Sequence, residues 1–421
     1  MSSVTDDVVQ QTMSPRKLVA APFRYRLWRS RHIRLIVHDL IGRQAQPEHD
    51  HLDHMRAAID WLCLAQDVRN DQRDSGGVSA GWSFEDGWLP SYPETSGYIV
   101  ETLVAAAGVL DRPDLIDRAR RIIDWELSIQ RPDGAFPGHF GEPGSQPVVF
   151  NTGQIMHGML TGFLQLRRTE CLESAVRAGH WLARVQDADG CWRQFEHNDV
   201  PHTYNTRASW ALLATALIVG DASHKAAAIR NLDWALTQQR ESGWFANNAF
   251  IPGREPFTHT IAYAIRGLLE SGVLLSSDRY IDAAAKAARA IANAQQTDGW
   301  LAGTFDADWV PRAGYCCLTG VAQMSINWMR CAREAGAVEL LGKARKALSL
   351  LKRVQRLNDR DEVARGSLAG SAPIWGAYSR FEFPNWAVKF FADALMMDYN
   401  GGPVPPLLDL SQPRQQIAAH V

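Results

Sequence analysis

Cysteine is scarce in this chain. Its 421 residues hold six, Cys63, Cys171, Cys191, Cys316, Cys317 and Cys331, and none form a Cys-x-x-Cys pair. That excludes a disulfide scaffold and the usual thiolate zinc spacing, and it suits reduced thiols in a bacterial-type cytoplasm. No apolar run approaches the ~18 residues that would read as a transmembrane helix. Met1 to Thr12 is polar, so no secretory leader is read there. Charge of one sign is missing too. The 44 Lys and Arg stand against 46 Asp and Glu, a formal net charge of −2, which argues against a nucleic-acid partner. The sequence has no H-E-x-x-H and no phosphate-binding glycine loop, and His197 and His202 lack a third ligand. No metal and no cofactor are expected.

Tryptophan, by contrast, is abundant, with 15 residues. Several mark a repeat. Gln130-Arg-Pro-Asp-Gly134, Gln186-Asp-Ala-Asp-Gly190, Gln239-Arg-Glu-Ser-Gly243 and Gln295-Gln-Thr-Asp-Gly299 are each followed by an aromatic: Phe136, Trp192, Trp244 or Trp300. Trp61–Gln66 and Leu350–Gln355 are weaker copies. The six glutamines lie 64, 56, 53, 56 and 60 residues apart. A second column aligns Ser96, Thr152, Thr206, Thr260, Thr319 and Asn385, residue types that cap helix N-termini, and long apolar stretches follow. Glycines just after that column would let neighbouring backbones approach closely.

The pattern predicts an all-α fold of six helical hairpins closed into an (α/α)6 toroid. The helices after the turns are the more apolar and are placed inside. Their N-termini then share one mouth with the turn loops. The toroid is assigned to residues 46–400, after a basic segment at 1–45 and before a Pro-rich, flexible tail at 401–421. Arg16 to Arg43 holds eight Lys or Arg against one acid, Asp39. It reads either as a strap packed on the toroid or as an interfacial helix on anionic lipid, which would place a cytoplasmic protein at the inner membrane periphery.

The segments at 204–213 (Y-N-T-R-A-S-W-A-L-L), 231–239, 243–245, 258–270, 317–323 and 384–395 resemble the VpsJ-like proteins of bacterial exopolysaccharide gene clusters, within the six-hairpin glycosidase-like toroids. The resemblance spans roughly residues 50 to 400. It implies a glycan context and an oligo- or polysaccharide substrate. The Q-x-x-x-G-W pattern is also similar to the QW repeats of terpenoid cyclases. Their catalytic D-x-D-D is one acid short here, at Asp306-Ala-Asp308-Trp309.

Residues at the inner-helix starts should face the mouth, and three constellations compete there. Tyr204, Asn205, Arg207, His259 and Tyr263 have the makings of a uronate lyase or C5-epimerase. His or Tyr would serve as base and acid, and Asn and Arg would hold the carboxylate. A carboxylate pair for glycoside hydrolysis is the second, drawn from Glu94, Asp306, Asp308 and Glu382, with Asp86 and Glu196 behind them. The third is glycan binding without turnover; a terpenoid-cyclase-like enzyme lies outside this class. Platforms for sugar rings are expected from Trp88, Trp192, Trp244, Trp300, Trp309, Trp375, Tyr378 and Trp386, with Asn151 and Gln154 as polar partners. Six converging helix dipoles and Arg207 predict a mildly cationic mouth that favours acidic sugars.

Overall fold

The computed structural model describes residues 21–41, 49–142 and 144–400; the tail at 401–421 and the ends of the basic segment lie outside them. In chain order the elements are α1 (Ser30–Ile41), α2 (His51–Asp67), β1 (Gly81–Ser83), β2 (Gly87–Trp88), α3 (Pro93–Val109), α4 (Asp114–Ile129), α5 (Val149–Leu166) and α6 (Thr169–Val185). They continue with α7 (Thr206–Val219), α8 (Ala222–Thr237), α9 (Thr258–Leu275), α10 (Asp278–Asn293), β3 (Cys316–Cys317), α11 (Leu318–Glu334), α12 (Leu340–Val354), β4 (Ser371–Ala372), β5 (Glu382–Pro384) and α13 (Asn385–Asn400).

Helices α3, α5, α7, α9, α11 and α13 pack in succession, and α13 returns onto α3, so the inner ring is closed. Each inner helix also packs on the outer helix that follows it. The exception carries the closure: α13 has no successor and packs on α2, the first outer helix. Hydropathy sorts the two rings. On α7 every residue from Thr206 to Ala216 is buried, whereas α10 buries an alanine stripe and leaves Asp282, Lys286 and Arg289 in solvent.

The repeated glutamines brace the outer ring. Gln186 Nε2 donates to Gly190 O of its own turn and to Ala227 O of the next outer helix, both at 2.9 Å. Gln66, Gln130 and Gln239 repeat this bridge, and Gln355 makes it across the seam, to Gly366 O and His54 O. The turn glycine is required twice over. Gly190 has φ +92°, and a Cβ there would sit 2.4 Å from Arg230 O. Between inner helices the expected close approaches occur: a Cβ on Gly97 would lie 2.6 Å from Ile155 Cα, and one on Gly153 2.5 Å from Ala208 Cα.

The aligned hydroxyl column has a different job from the one its composition suggests. The residues are buried in the first turns of the inner helices, and helix capping is not their role. They tie loops or neighbouring helices to the ring: Val78 N donates to Ser96 Oγ, Phe136 N to Thr152 Oγ1, and Thr206 Oγ1 donates to Ala264 O. Over the same end lies a small antiparallel sheet, β2-β1-β5, whose register sets Gly81 opposite Pro384 and joins the first loop to the last.

Helix α1 lies outside the toroid. It buries Leu35 and His32 and is clamped by Arg31, whose Nε and Nη2 meet Asp361 at 2.6 and 2.5 Å. Arg356 Nη2 donates to Leu35 O, and Ile374 N donates to Asp39 Oδ2. Within residues 21–41 the segment is therefore packed as a strap.

Candidate functional site

The N-terminal turns of the inner helices converge on a cavity of about 620 Å³. Glu94 and Tyr98 of α3, Phe150 and Asn151 of α5, and His259 and Tyr263 of α9 line it. Tyr378 from the β4–β5 loop, Trp386 of α13, the loop residues Gln194 to Asp199 and Tyr204, and Tyr92, Phe140 and Phe250 add to the wall. Aromatic packing fixes its shape. Phe150 meets both Tyr204 (5.0 Å between centroids) and Tyr263 (5.1 Å), and Trp386 Nε1 donates to Tyr378 OH at 2.9 Å.

Two carboxyls face this aromatic space. Glu94 sits in the first turn of α3, where the helix dipole favours its anion. Burial outweighs that and raises its pKa to about 7, against the hydrogen bond from Tyr92 OH (3.0 Å) and the charge of Arg207. Glu94 is half-buried and Glu196 buried, and desolvation pushes the Glu196 carboxyl well above the usual range. Asn205 Nδ2 donates to its Oε1 at 2.8 Å, while Oε2 has no partner. The loop that presents Glu196 is strained: Phe195, Asn198 and Asp199 have φ of 62°, 60° and 51°.

His259 is neutral. Burial drives its pKa down to about 3, and Gln323 Oε1 lies 2.8 Å from Nδ1, so Nδ1 carries the proton and Nε2 remains an acceptor. Burial moves the Tyr204 and Tyr263 phenols far up, so both stay protonated. Arg207 stands one layer behind the wall. Its Nε and Nη2 donate to Gln154 Oε1 at 3.1 and 3.0 Å, and its guanidinium stacks over Trp210 and Tyr263. It is only 4% exposed, yet among the described residues no carboxylate lies within 4.0 Å of it. Deeper in the ring the charges are paired: Lys389 with Asp393 at 2.6 Å, and Arg330 with Glu270 at 2.7 Å.

Of the expected site residues, Glu94, Asn151, Tyr204, His259, Tyr263, Tyr378 and Trp386 meet at the cavity. Asn205, Arg207 and Gln154 form the layer behind. The others lie elsewhere. Trp192 is buried under the outer ring, with Nε1 donating to Leu182 O; Trp88 packs on Trp61. Trp244 lies against Arg240, Trp309 Nε1 donates to Ser242 O, and Trp300 and Trp375 are not on the cavity wall. Asp306 caps its own turn, accepting from Asp308 N and Val310 N and pairing with Arg312. The wall is thus aromatic with a single tryptophan, Trp386, and carries no Lys or Arg among its residues but three acids, Glu94, Glu196 and Asp199. Trp192, two residues after the turn glycine Gly190, is held instead by α6, the outer helix that precedes the turn. Phe195, Phe250 and Glu196 were the weakly legible members; only the aromatic column two residues before Thr152 and Thr206, Phe150 and Tyr204, left a regular signal.

Clustered ligand atoms suited to a metal occur at His180, Asp221 and His224 and at Asp187, Asp189 and Cys191. Both clusters lie off the cavity wall, and Asp221 is occupied as the N-cap of α8.

A family model described as the squalene-hopene cyclase C-terminal domain matches residues 89–271. No curated protein matches the chain. Among solved structures, an unsaturated glucuronyl hydrolase from Bacillus sp. GL1 superposes with a TM-score of 0.62 at 14% identity, over 82% of this chain and 97% of that one. A cellobiose 2-epimerase from Bacillus thermoamylovorans gives 0.63 at 12%, over 81% and 98%. A sugar epimerase from a ruminal bacterium gives 0.67 at 13%, over 83% and 99%. At these identities the likeness is one of fold, and the fold is the α/α toroid.

Proposed function

We propose that this chain is a glycan-processing enzyme whose chemistry rests on Glu94 and Glu196, most simply a glycoside hydrolase acting on an acidic sugar. One observation carries the reading: a half-buried carboxyl and a buried one on one aromatic cavity, both raised, with Glu94 at about 7 and Glu196 well above its ordinary value. A pair separated in this way assigns acid and base. Glu196, as the neutral acid, gives its proton to the glycosidic oxygen as the bond to the anomeric carbon breaks. Glu94, ionised above pH 7, either takes a proton from the water that adds to that carbon or attacks the carbon itself. The aromatic walls suit the C–H faces of a sugar ring. Arg207, a cation without a carboxylate partner, favours an anionic ring nearby. The likeness in fold to glucuronyl hydrolases and sugar epimerases supports a glycan substrate, and the resemblance to exopolysaccharide-cluster proteins supports its setting.

Elimination or C5 epimerisation of a uronate, driven by His259 or Tyr263, fits less well. A base works best with a pKa near the operating pH, and neither residue has one. The test is incubation with acidic and neutral oligosaccharides, following reducing ends, unsaturated-uronate absorbance and solvent deuterium at C5. Release of reducing ends, lost in Glu94→Gln and Glu196→Gln, supports hydrolysis. Absorbance or deuterium uptake instead would replace it, and binding without turnover would end the enzyme reading.

A second reading has its own support. The squalene-hopene cyclase match and the aromatic cavity around a protonated acid suit a carbocation, which aromatic faces stabilise. Cyclised product from a polyprenyl substrate, with no turnover of sugars, would establish it.

A further inference from the structure

We infer that helix α1 and the turn before it form a docking surface for an anionic membrane. Ten large apolar side chains are exposed among the described residues, and five of them fall between residues 23 and 40: Phe23 (73%), Trp28 (58%), Ile33, Val37 and Leu40 (61%). Ile33, Val37 and Leu40 recur at i, i+4 and i+7, so they form one stripe on the side of α1 opposite buried Leu35. Phe23 and Trp28 extend it, their rings edge to face at 5.7 Å. A strap needs only the inward face. The outward one stays apolar although solvent offers it nothing to pack on.

Charge complementarity selects the occupant. Residues 21–41 carry five arginines and one acid, Asp39, in a chain of net charge −2. Arg29, one turn before Ile33, lies on the stripe and is exposed, and Arg34 flanks it. Apolar side chains interleaved with arginine, and a tryptophan at one end, suit the boundary between anionic headgroups and acyl chains. A protein partner would also bury the stripe; Arg24, Arg31 and Arg34 are paired with Glu85 and Asp361, and the positive excess left on Arg26 and Arg29 is what favours an anionic phospholipid surface. The clamp makes the surface rigid: Arg24 pairs with Glu85 at 2.6 Å, and Arg31 and Arg34 both engage Asp361. The stripe is presented by a folded body and needs no ordering on contact. No helix among the described residues is long and apolar enough to cross a membrane, so the contact is peripheral.

The experiment is flotation of the full chain with phosphatidylcholine vesicles, with and without phosphatidylglycerol. The protein should float with the anionic vesicles at low salt and release at high salt. Phe23→Ser/Trp28→Ser/Leu40→Ser should cut partitioning at least about tenfold, while circular dichroism is unchanged because these side chains support no core. Arg26→Gln/Arg29→Gln should lower anionic binding by about fivefold per charge and leave neutral vesicles unaffected. Equal partitioning to neutral and anionic vesicles, or none to either, overturns the proposal. So does a concentration-dependent dimer in sedimentation that the triple variant abolishes while vesicles are ignored, because the stripe would then seat a second copy.

Discussion

At the scale of single residues, the active chemistry depends on how strongly burial works against charge. Glu94 stands at a helix start, beside a tyrosine donor and within the field of Arg207, all of which favour its anion; desolvation still carries it to about 7. If Glu94 acts ionised, kcat/KM should rise with pH up to about 7 and level above it. Arg207 lowers that pKa, so Arg207→Gln should move the rising limb to higher pH as well as weaken acidic substrates. A merely structural arginine would leave the limb in place. Glu94→Gln and Glu196→Gln should each cost about 10²–10⁴ in turnover, measured on variants with unchanged thermal melts. The candidate residues visible in the sequence were those at aligned helix starts. Glu196 and Phe195 were poorly visible because their placement depends on a left-handed loop backbone, which no spacing announces.

Single elements show what the repeat motif does. The glutamine and glycine of each turn are joinery between outer helices. Gln186→Ala removes the donor to Gly190 O and Ala227 O, and should destabilise by about 1–3 kcal/mol. Activity below the melting range should be intact, since neither group touches the cavity. Urea titration alongside initial rates separates the two. Helix α4 offers a pH-dependent case. Glu126 is buried with neither oxygen partnered, and desolvation alone raises its carboxyl well above the ordinary range. Its folded pKa exceeds the unfolded one, so no ionisation penalty exists below about pH 4. Stability is lost as pH rises and the unfolded chain ionises while the folded one does not. Glu126→Met should therefore stabilise the protein by about 1–3 kcal/mol more at pH 8 than at pH 4, read from urea midpoints at the two values.

For the whole molecule, the decisive contact is the seam. Chain order puts α2 and α13 at opposite ends, yet they form the sixth hairpin, and Gly366 of the last turn meets Ala57 of the first outer helix. A Cβ on Gly366, at φ +81°, would lie 2.1 Å from Ala57 O, at least as tight as the 2.4 Å at Gly190 within the ring. Gly366→Ala and Gly190→Ala should then lower the melting temperature alike, and calorimetry should show one transition in each. A smaller effect at the seam, or two transitions, would mean that the ring opens there before it melts.

The six-fold repeat, the inner and outer assignment and the shared mouth were determined by the sequence alone, because their causes are local and repeated. Turn glycines need positive φ, amphipathic stripes mark the outer helices, and apolar stretches mark the inner ones. The tertiary structure decided the rest. It sent Trp192 beneath the outer ring, where its indole found Leu182 O, and brought Phe150, Tyr204 and Tyr263 together as the wall instead. It also stacked Arg207 behind that wall and set the proton affinities of Glu94, Glu196 and His259. Desolvation is a property of the space enclosed by six converging helices, and no residue carries that information in its own neighbourhood along the chain.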